Sequence, residues 1–390
     1  MNSCILFFIS LFWTNIFFPE ETEGYFYNNP VNKVTFNCAA GKDEKVDEIS
    51  VNEKFIKKPI KLNEIAELEY IQLESKKDFI FSGPAVYLDE KIIICTDRKT
   101  KTILIFNNDR KAVKRINRYG RGPGEYSSLY SVLYDSISEE IFVNDLIQKK
   151  VLVYDIEGKF KRALPYLPNF SYTTLVSFNN KELIAYDNNA DNRNSFVSIS
   201  KTNGKLVTLF PINFSKKIIL DSTRGKVKTT IDYNLTTITE DGILLTDFST
   251  DTIYRVKYNG EFAPLFVRTP SISKMNPEIF LFPFLETSKY IFFKSITRVC
   301  TSEICQYKDF KLIAFDKASN DFFIPKIEWD NGNFPLFPTP VSVGVSVSVM
   351  EAFYLIKRYK SGSLNAKEKA IASKISENDN PVLLVFKFKK

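Results

Sequence analysis

A chain of 390 residues, 44% hydrophobic and 25% charged, is long and apolar enough to bury a large core, which excludes a disordered protein. Lysine and arginine exceed the acids by only 53 to 46 and are scattered, so no basic face for nucleic acid is built into the composition. The absence of histidine excludes Ser-His-Asp triads, Cys-His pairs and histidine-ligated metals; a catalyst here would have to use carboxylates, Lys, Tyr or an oxygen-ligated metal.

Residues 1–18 form a signal-like segment. Its apolar run, Cys4–Phe18, spans about 15 residues, short of the roughly 20 that cross a bilayer and close to a signal-peptide core. Residues 19–55 are polar and read as a leader or tether. Within them Cys38, followed by Ala39, Ala40 and Gly41 and then by charged residues, is a lipidation candidate, although a polar stretch separates it from the apolar run. Export to the periplasm or outer membrane is the expected localisation, with membrane contact only through such an anchor.

From about residue 79 to 330 a pattern repeats. An apolar strand ends on an acidic residue, a second apolar strand follows a short loop, and a turn leads to a third. The five units start near Lys91, Glu140, Glu182, Gly242 and Lys289. Asp97, Asp145, Asp187 and Asp247 are successive counterparts at intervals of about 40–60 residues, the period of propeller blades. Glu157-Gly158, Asn203-Gly204 and Asn259-Gly260 are hairpin signals between the third and fourth strands of their units. With 35 Phe and 19 Tyr, the composition favours strands. A sixth unit is expected from the ends of the chain: a strand at Glu67–Glu74, strand-like alternation from Val341, a short helix from Ala366 and a last strand after Pro381. The predicted fold is therefore all-β: a six-bladed propeller over residues 56–390, closed by pairing N- and C-terminal strands in one blade.

Between the first two units lies Tyr119-Gly120-Arg121-Gly122-Pro123-Gly124-Glu125-Tyr126, which can continue neither a helix nor a central strand and must form a shaped turn. This loop, the strand Leu68–Glu74 and the closing strand Asn380–Lys387, taken in order, resemble the six-bladed β-propeller proteins of Bacteroidetes-type bacterial envelopes, whose architecture is NHL-like. The resemblance implies the fold, export and often a lipid anchor. It implies binding or accessory roles near glycan-uptake systems rather than a defined activity.

Three groups of residues are candidate sites. Arg121, Glu125 and Tyr126 frame a glycine turn whose N–H groups could form an anion nest, or else an inter-blade corner with an Arg121–Glu125 ion pair. Trp329, Phe334 and Phe337, together with Phe280, Phe282 and Phe284, lie in Pro-rich segments read as loops, where aromatic faces stack on sugars. The four repeated aspartates would hold Ca²⁺ in the central channel if the protein were a metal-dependent hydrolase of lactones or phosphoesters; as turn residues they would instead accept backbone hydrogen bonds. Cys300 and Cys305 are candidates for a disulfide across a hairpin. The favoured reading is a non-catalytic envelope protein without a cofactor, holding a glycan, peptide or partner protein in loops on one face. The metal-dependent hydrolase is the alternative.

Overall fold

The computed structural model describes residues 46–390 apart from 193, 213, 215, 225–226, 231–232, 302–303, 330–331 and 334–337. The apolar run Cys4–Phe18 and Cys38 lie outside the described residues.

Six antiparallel sheets follow one another around a ring, each a blade whose first strand is innermost. Blade 1 comprises Ala85–Leu88, Ile92–Asp97, Thr102–Asn107 and Ala112–Ile116; blade 2, Ser131–Asp135, Glu140–Asp145, Lys150–Asp155 and Phe160–Pro165. Blade 3 comprises Tyr172–Ser177, Glu182–Asp187, Phe196–Ser200 and Leu206–Leu209; blade 4, Thr236–Ile238, Gly242–Leu245, Thr252–Lys257 and Phe262–Thr269. Blade 5 comprises Glu278–Glu286, Tyr290–Cys300, Cys305–Asp316 and Asp321–Trp329. Blade 6 takes Thr339–Ser342, Val345–Met350 and Val382–Phe388 from the C-terminal end of the chain and its outermost strand, Ala66–Gln72, from the N-terminal end, with Leu384 opposite Tyr70.

The repeat units seen in the sequence are the second, third and fourth strands of blades 1–5. In blades 1–3 the second and third strands are the aliphatic runs, because both their faces are covered, whereas the fourth strands are partly exposed. Ile94 packs towards Tyr134, Ile141 and Val143 of blade 2. Its neighbours Ile93 and Cys95 point the other way, towards Leu383 and Val385 of blade 6. The period-2 alternation of a strand thus feeds two inter-blade layers at once, and each layer removes apolar area from water on both its blades. Cys95 is free and buried, and burial pushes its thiol up, as suits a packing role. Inner strands such as Ser131–Asp135 and Tyr172–Ser177 escaped the sequence pattern because they are half-exposed and mix hydroxyl and aliphatic residues with no buried run. That of blade 5, Glu278–Glu286, is buried but interrupted by Pro283.

The N-terminal segment differs from the expected irregular leader. Its last part is woven into the ring: Asp47–Ser50 adds in parallel to the outer strand Phe262–Thr269 of blade 4, and Lys57–Lys61 adds in parallel to Asp321–Trp329 of blade 5. Ile49, Val51 and Ile60 are buried there. These added strands cover edges that would otherwise present unpaired N–H and C=O groups. The segment after Met350 does not continue the strand-like alternation read from Val341: Ala352–Lys360 is a helix whose Leu355 and Ile356 are buried. A second helix, Ala366–Ala372, starts on a capping box between Asn365 and Glu368.

Candidate functional site: the face of long connections

Antiparallel order sorts the connections by end. The links between second and third strands, and those between the outer strand of one blade and the inner strand of the next, emerge on one face of the ring; the remaining turns emerge on the other. The turn face carries tight reversals. Gly158, Gly204 and Gly260, all at positive φ, sit in hairpins between third and fourth strands. The opposite face carries the long segments: the glycine loop in 117–130, the excursion 210–235 before blade 4, the tip 300–305 of the long blade 5 hairpin, and the helical excursion 351–381 of blade 6. Cys300 and Cys305 are cross-strand partners at that tip, joined by a disulfide.

The glycine loop is an inter-blade corner. Tyr126 is fully buried, donating its hydroxyl to the Lys101 carbonyl at 2.7 Å and accepting the Arg118 N–H at 3.1 Å. Two of the N–H groups that would make an anion nest are already used: Gly120 donates to the Tyr126 carbonyl, and Gly122 to the Glu125 carboxylate at 2.9 Å. Arg121 is exposed and forms no ion pair with Glu125. Gly124 has φ +73°, and a Cβ there would lie 2.6 Å from the Phe160 ring. Tyr126→Phe is expected to lower stability by about 1–2 kcal/mol, because it leaves a buried carbonyl and N–H short of a partner. Gly124→Ala should cost at least as much, through positive φ and contact with Phe160. Urea unfolding of both variants measures this, and neither should alter ligand binding.

The four aspartates do not converge on the channel. Each closes the turn after its second strand. Asp97 accepts from the Lys99 N–H and the Thr100 hydroxyl, and Asp145 from the N–H groups of Ile147, Gln148 and, at 2.6 Å, Ser127. Asp187 accepts from the N–H groups of Ser171 at 2.7 Å and Asn189 at 3.2 Å; burial outweighs these bonds and raises its carboxyl above the usual range. In the last two cases one carboxylate holds its own turn and the connection entering its blade. Among the described residues no cluster of three acidic or cysteine side chains is placed to hold a metal. The Ca²⁺ site of the hydrolase reading therefore has no ligand set in Asp97, Asp145, Asp187 and Asp247.

Asp247 has a further role that the sequence hid. Lys217, from the 210–235 excursion, inserts beneath the loop face and meets Asp247 Oδ2 at 2.7 Å, with the two side chains 1% and 0% exposed. The ammonium also donates to Ser195 Oγ at 2.8 Å and to the Asp187 carbonyl at 3.1 Å, and it lies 4.6 Å from the centre of the Tyr186 ring. Ser195 and Tyr186 donate their hydroxyls to the same carboxylate oxygen. Burial alone would raise the Asp247 carboxyl, but the Lys217 charge and these hydrogen bonds outweigh it and hold it below the usual range. The cluster bolts the excursion to blades 3 and 4. No spacing rule links a lysine in an irregular segment to an aspartate 30 residues on.

The expected loop aromatics are differently placed. Phe280, Phe282 and Phe284 lie on the inner strand of blade 5 and are buried. Trp329 ends the outer strand of blade 5 and packs against the core between blades 5 and 6. Phe334 and Phe337 lie outside the described residues. On the loop face the gap between Tyr186, Asn188, Ile218, Tyr233 and Phe248 holds about 10 Å³, room for one water at most. A larger cleft of about 310 Å³ lies along the outer strands of blade 4. Its charges neutralise one another, Arg255 with Asp241 and Glu286, and Lys257 with Glu261. The gap on the loop face is thus too small to enclose a ligand.

A closed six-bladed β-propeller with one elaborated face is the class that this architecture defines. Within that class the chain belongs to the family described as a domain of unknown function, DUF4934, whose model matches residues 46–387. Among solved structures it is similar to an exported protein of Bacteroides fragilis, with 18% identity, a TM-score of 0.61, and coverage of 88% of this chain and 100% of that one. A member of the DUF4221 family from Bacteroides vulgatus matches with 11% identity and a TM-score of 0.47, over 84% of this chain and 99% of that one. No curated protein matches.

Proposed function

We propose that this protein is a non-catalytic binding or accessory component of the bacterial cell envelope, and that it holds an extended ligand (a glycan chain, a peptide or a partner protein) across the face of long connections. The observation that carries this reading is the asymmetry between faces. The segments beyond what ring closure needs, 210–235, 300–305 and 351–381, emerge on one side, and a rigid scaffold presenting variable loops is the usual arrangement for recognition. The gap found there among the described residues, about 10 Å³, is too small for a buried ligand, which favours an extended one. An extracytoplasmic setting is supported by the Cys300–Cys305 disulfide, because such bonds persist in oxidising compartments, and by the exported B. fragilis protein of the same fold.

The test is a screen of the full chain on glycan and peptide arrays, repeated with substitutions on each face. Tyr119→Ser, Ile147→Ser and Ile304→Ser remove exposed apolar side chains from the loop face; Ile137→Ser removes one from the turn face. The triple loop-face variant should weaken binding by about tenfold or more, and Ile137→Ser should leave it unchanged. Equal binding by all variants, or loss on the turn face alone, would contradict the proposal.

A further inference from the structure

The helical excursion of blade 6 carries a surface that the fold does not use. In the helix Ala352–Lys360 the inward face, Ala352, Leu355 and Ile356, is spent on the core with Leu364, Ala372 and Val382. The outward residues are aromatic and basic: Phe353 and Tyr354 are 55% and 50% exposed and stand beside exposed Lys357 and Lys360, whereas Tyr359 ends the inward stripe of Leu355 and Ile356. Two large aromatics left in water on one nine-residue helix demand a reason, because ring closure needs neither of them outside.

The charge around them has a sign. Lys367, Lys369 and Lys374 of the same excursion are also exposed, against exposed Glu351 and Glu377. Glu377 meets Lys360 at 2.9 Å with both side chains largely in solvent, a pair too exposed to hold the lysine. The adjoining connection 73–84 is tied to the end of the excursion by Asn380, whose side chain bonds the Glu74 and Phe79 carbonyls and the Phe81 N–H. It adds exposed Ile80, and exposed Lys76 and Lys77 against exposed Asp78, to the same sector.

Two kinds of partner suit exposed aromatics, and lysine separates them. Protein interfaces are enriched in aromatics but depleted in lysine, and a stable one needs about 800 Å² per partner, far more than one short helix offers. A bilayer surface takes aromatic rings at the headgroup level and draws lysine to anionic lipid. We infer that Phe353 and Tyr354, with Lys357 and Lys360 beside them, form a seat on which blade 6 rests against an anionic phospholipid surface. Among the described residues no helix is long and apolar enough to cross a membrane. The seat places blade 6 at the lipid and leaves the other connections of the loop face to the ligand.

The experiment uses the full chain with vesicles of phosphatidylglycerol and phosphatidylethanolamine, and with phosphatidylcholine alone as control. A Tyr354→Trp variant reports locally: its added emission should shift to shorter wavelength and be quenched by brominated lipid on anionic vesicles only. Lys357→Glu with Lys360→Glu should lower partitioning by about tenfold, and so should Phe353→Ser with Tyr354→Ser, both with unchanged melting temperature because the side chains are exposed. If the indole added by Tyr354→Trp stays unquenched on bound protein, the contact lies elsewhere and the inference is overturned, as it is by equal partitioning of the charge-reversed variant. A concentration-dependent dimer abolished by the double serine variant would assign the face to a second copy and overturn it equally.

Discussion

Replacing Lys217 by Met is expected to destabilise the protein by about 3–5 kcal/mol, because it leaves the Asp247 carboxylate fully buried without its counter-charge. The ammonium also satisfies Ser195 and the Asp187 carbonyl, so several partners lose a donor at once. Combining Lys217→Met with Asp247→Asn should recover most of the loss, since a neutral amide keeps an acceptor for Tyr186 and Ser195 without a buried charge. Urea denaturation of both single variants and the double measures the coupling directly. The pH dependence has a definite sign. The folded pKa of Asp247 lies below its unfolded value, so its contribution is present above an unfolded carboxylate pKa of about 3.9 and is lost as pH falls through the lower folded value. Asp187, raised by burial, acts in the opposite direction over its own range. An equally stable single Lys217→Met variant would mean that the excursion is not bolted down as described.

Removing the N-terminal strands should have the largest effect of any change. A chain starting at Leu62 loses the burial of Ile49, Val51 and Ile60, each worth about 1.5–3 kcal/mol, and uncovers the outer edges of blades 4 and 5. That sum, about 5 kcal/mol or more, is comparable with the 5–15 kcal/mol by which a typical domain is stable. A chain starting at Leu73 also loses Ala66–Gln72, which opens the ring at blade 6 and exposes the apolar strand Val382–Phe388 along its whole edge. It should not yield a soluble monomer, whereas the Leu62 chain should fold with a lower melting temperature than one starting at Val46. Soluble yield and thermal unfolding of the three chains rank them. Equal stability would deny the added strands any role.

Much of the ring was legible because covered strands have to be aliphatic and their turns have to reverse sharply. Runs such as Glu140–Asp145, followed by Lys150–Asp155 and a glycine at positive φ, show both demands at once. Inner strands such as Ser131–Asp135 were not legible, because half-exposed positions impose no strict apolar pattern, and Glu278–Glu286 was disguised by Pro283. Lys57–Lys61 reads as polar, yet it adds to an edge, where Pro59 is tolerated and only Ile60 has to be apolar. The helix Ala352–Lys360 was masked by its outward aromatics, which blur the spacing of Leu355 and Ile356.

The candidate site was legible only as a location. The glycine loop marked which ends of the strands carry the long connections, but its own residues, Glu125 and Tyr126, are consumed in holding the corner. The repeated aspartates marked the same face, and their repetition reflects repeated turns rather than shared ligands. Lys217 could not be found from the sequence, because its partners Ser195 and Asp247 belong to two different blades.

Ring closure by the N-terminal strand underlies both the platform and the blade 6 seat, and hydrogen exchange tests it most directly. The amides of Ala66–Gln72 should exchange as slowly as those of their partner Val382–Phe388, and both should open only with global unfolding. Rapid exchange of Ala66–Gln72 beside a protected Val382–Phe388 would contradict the account, because the outermost strand of blade 6 would then not be part of the ring.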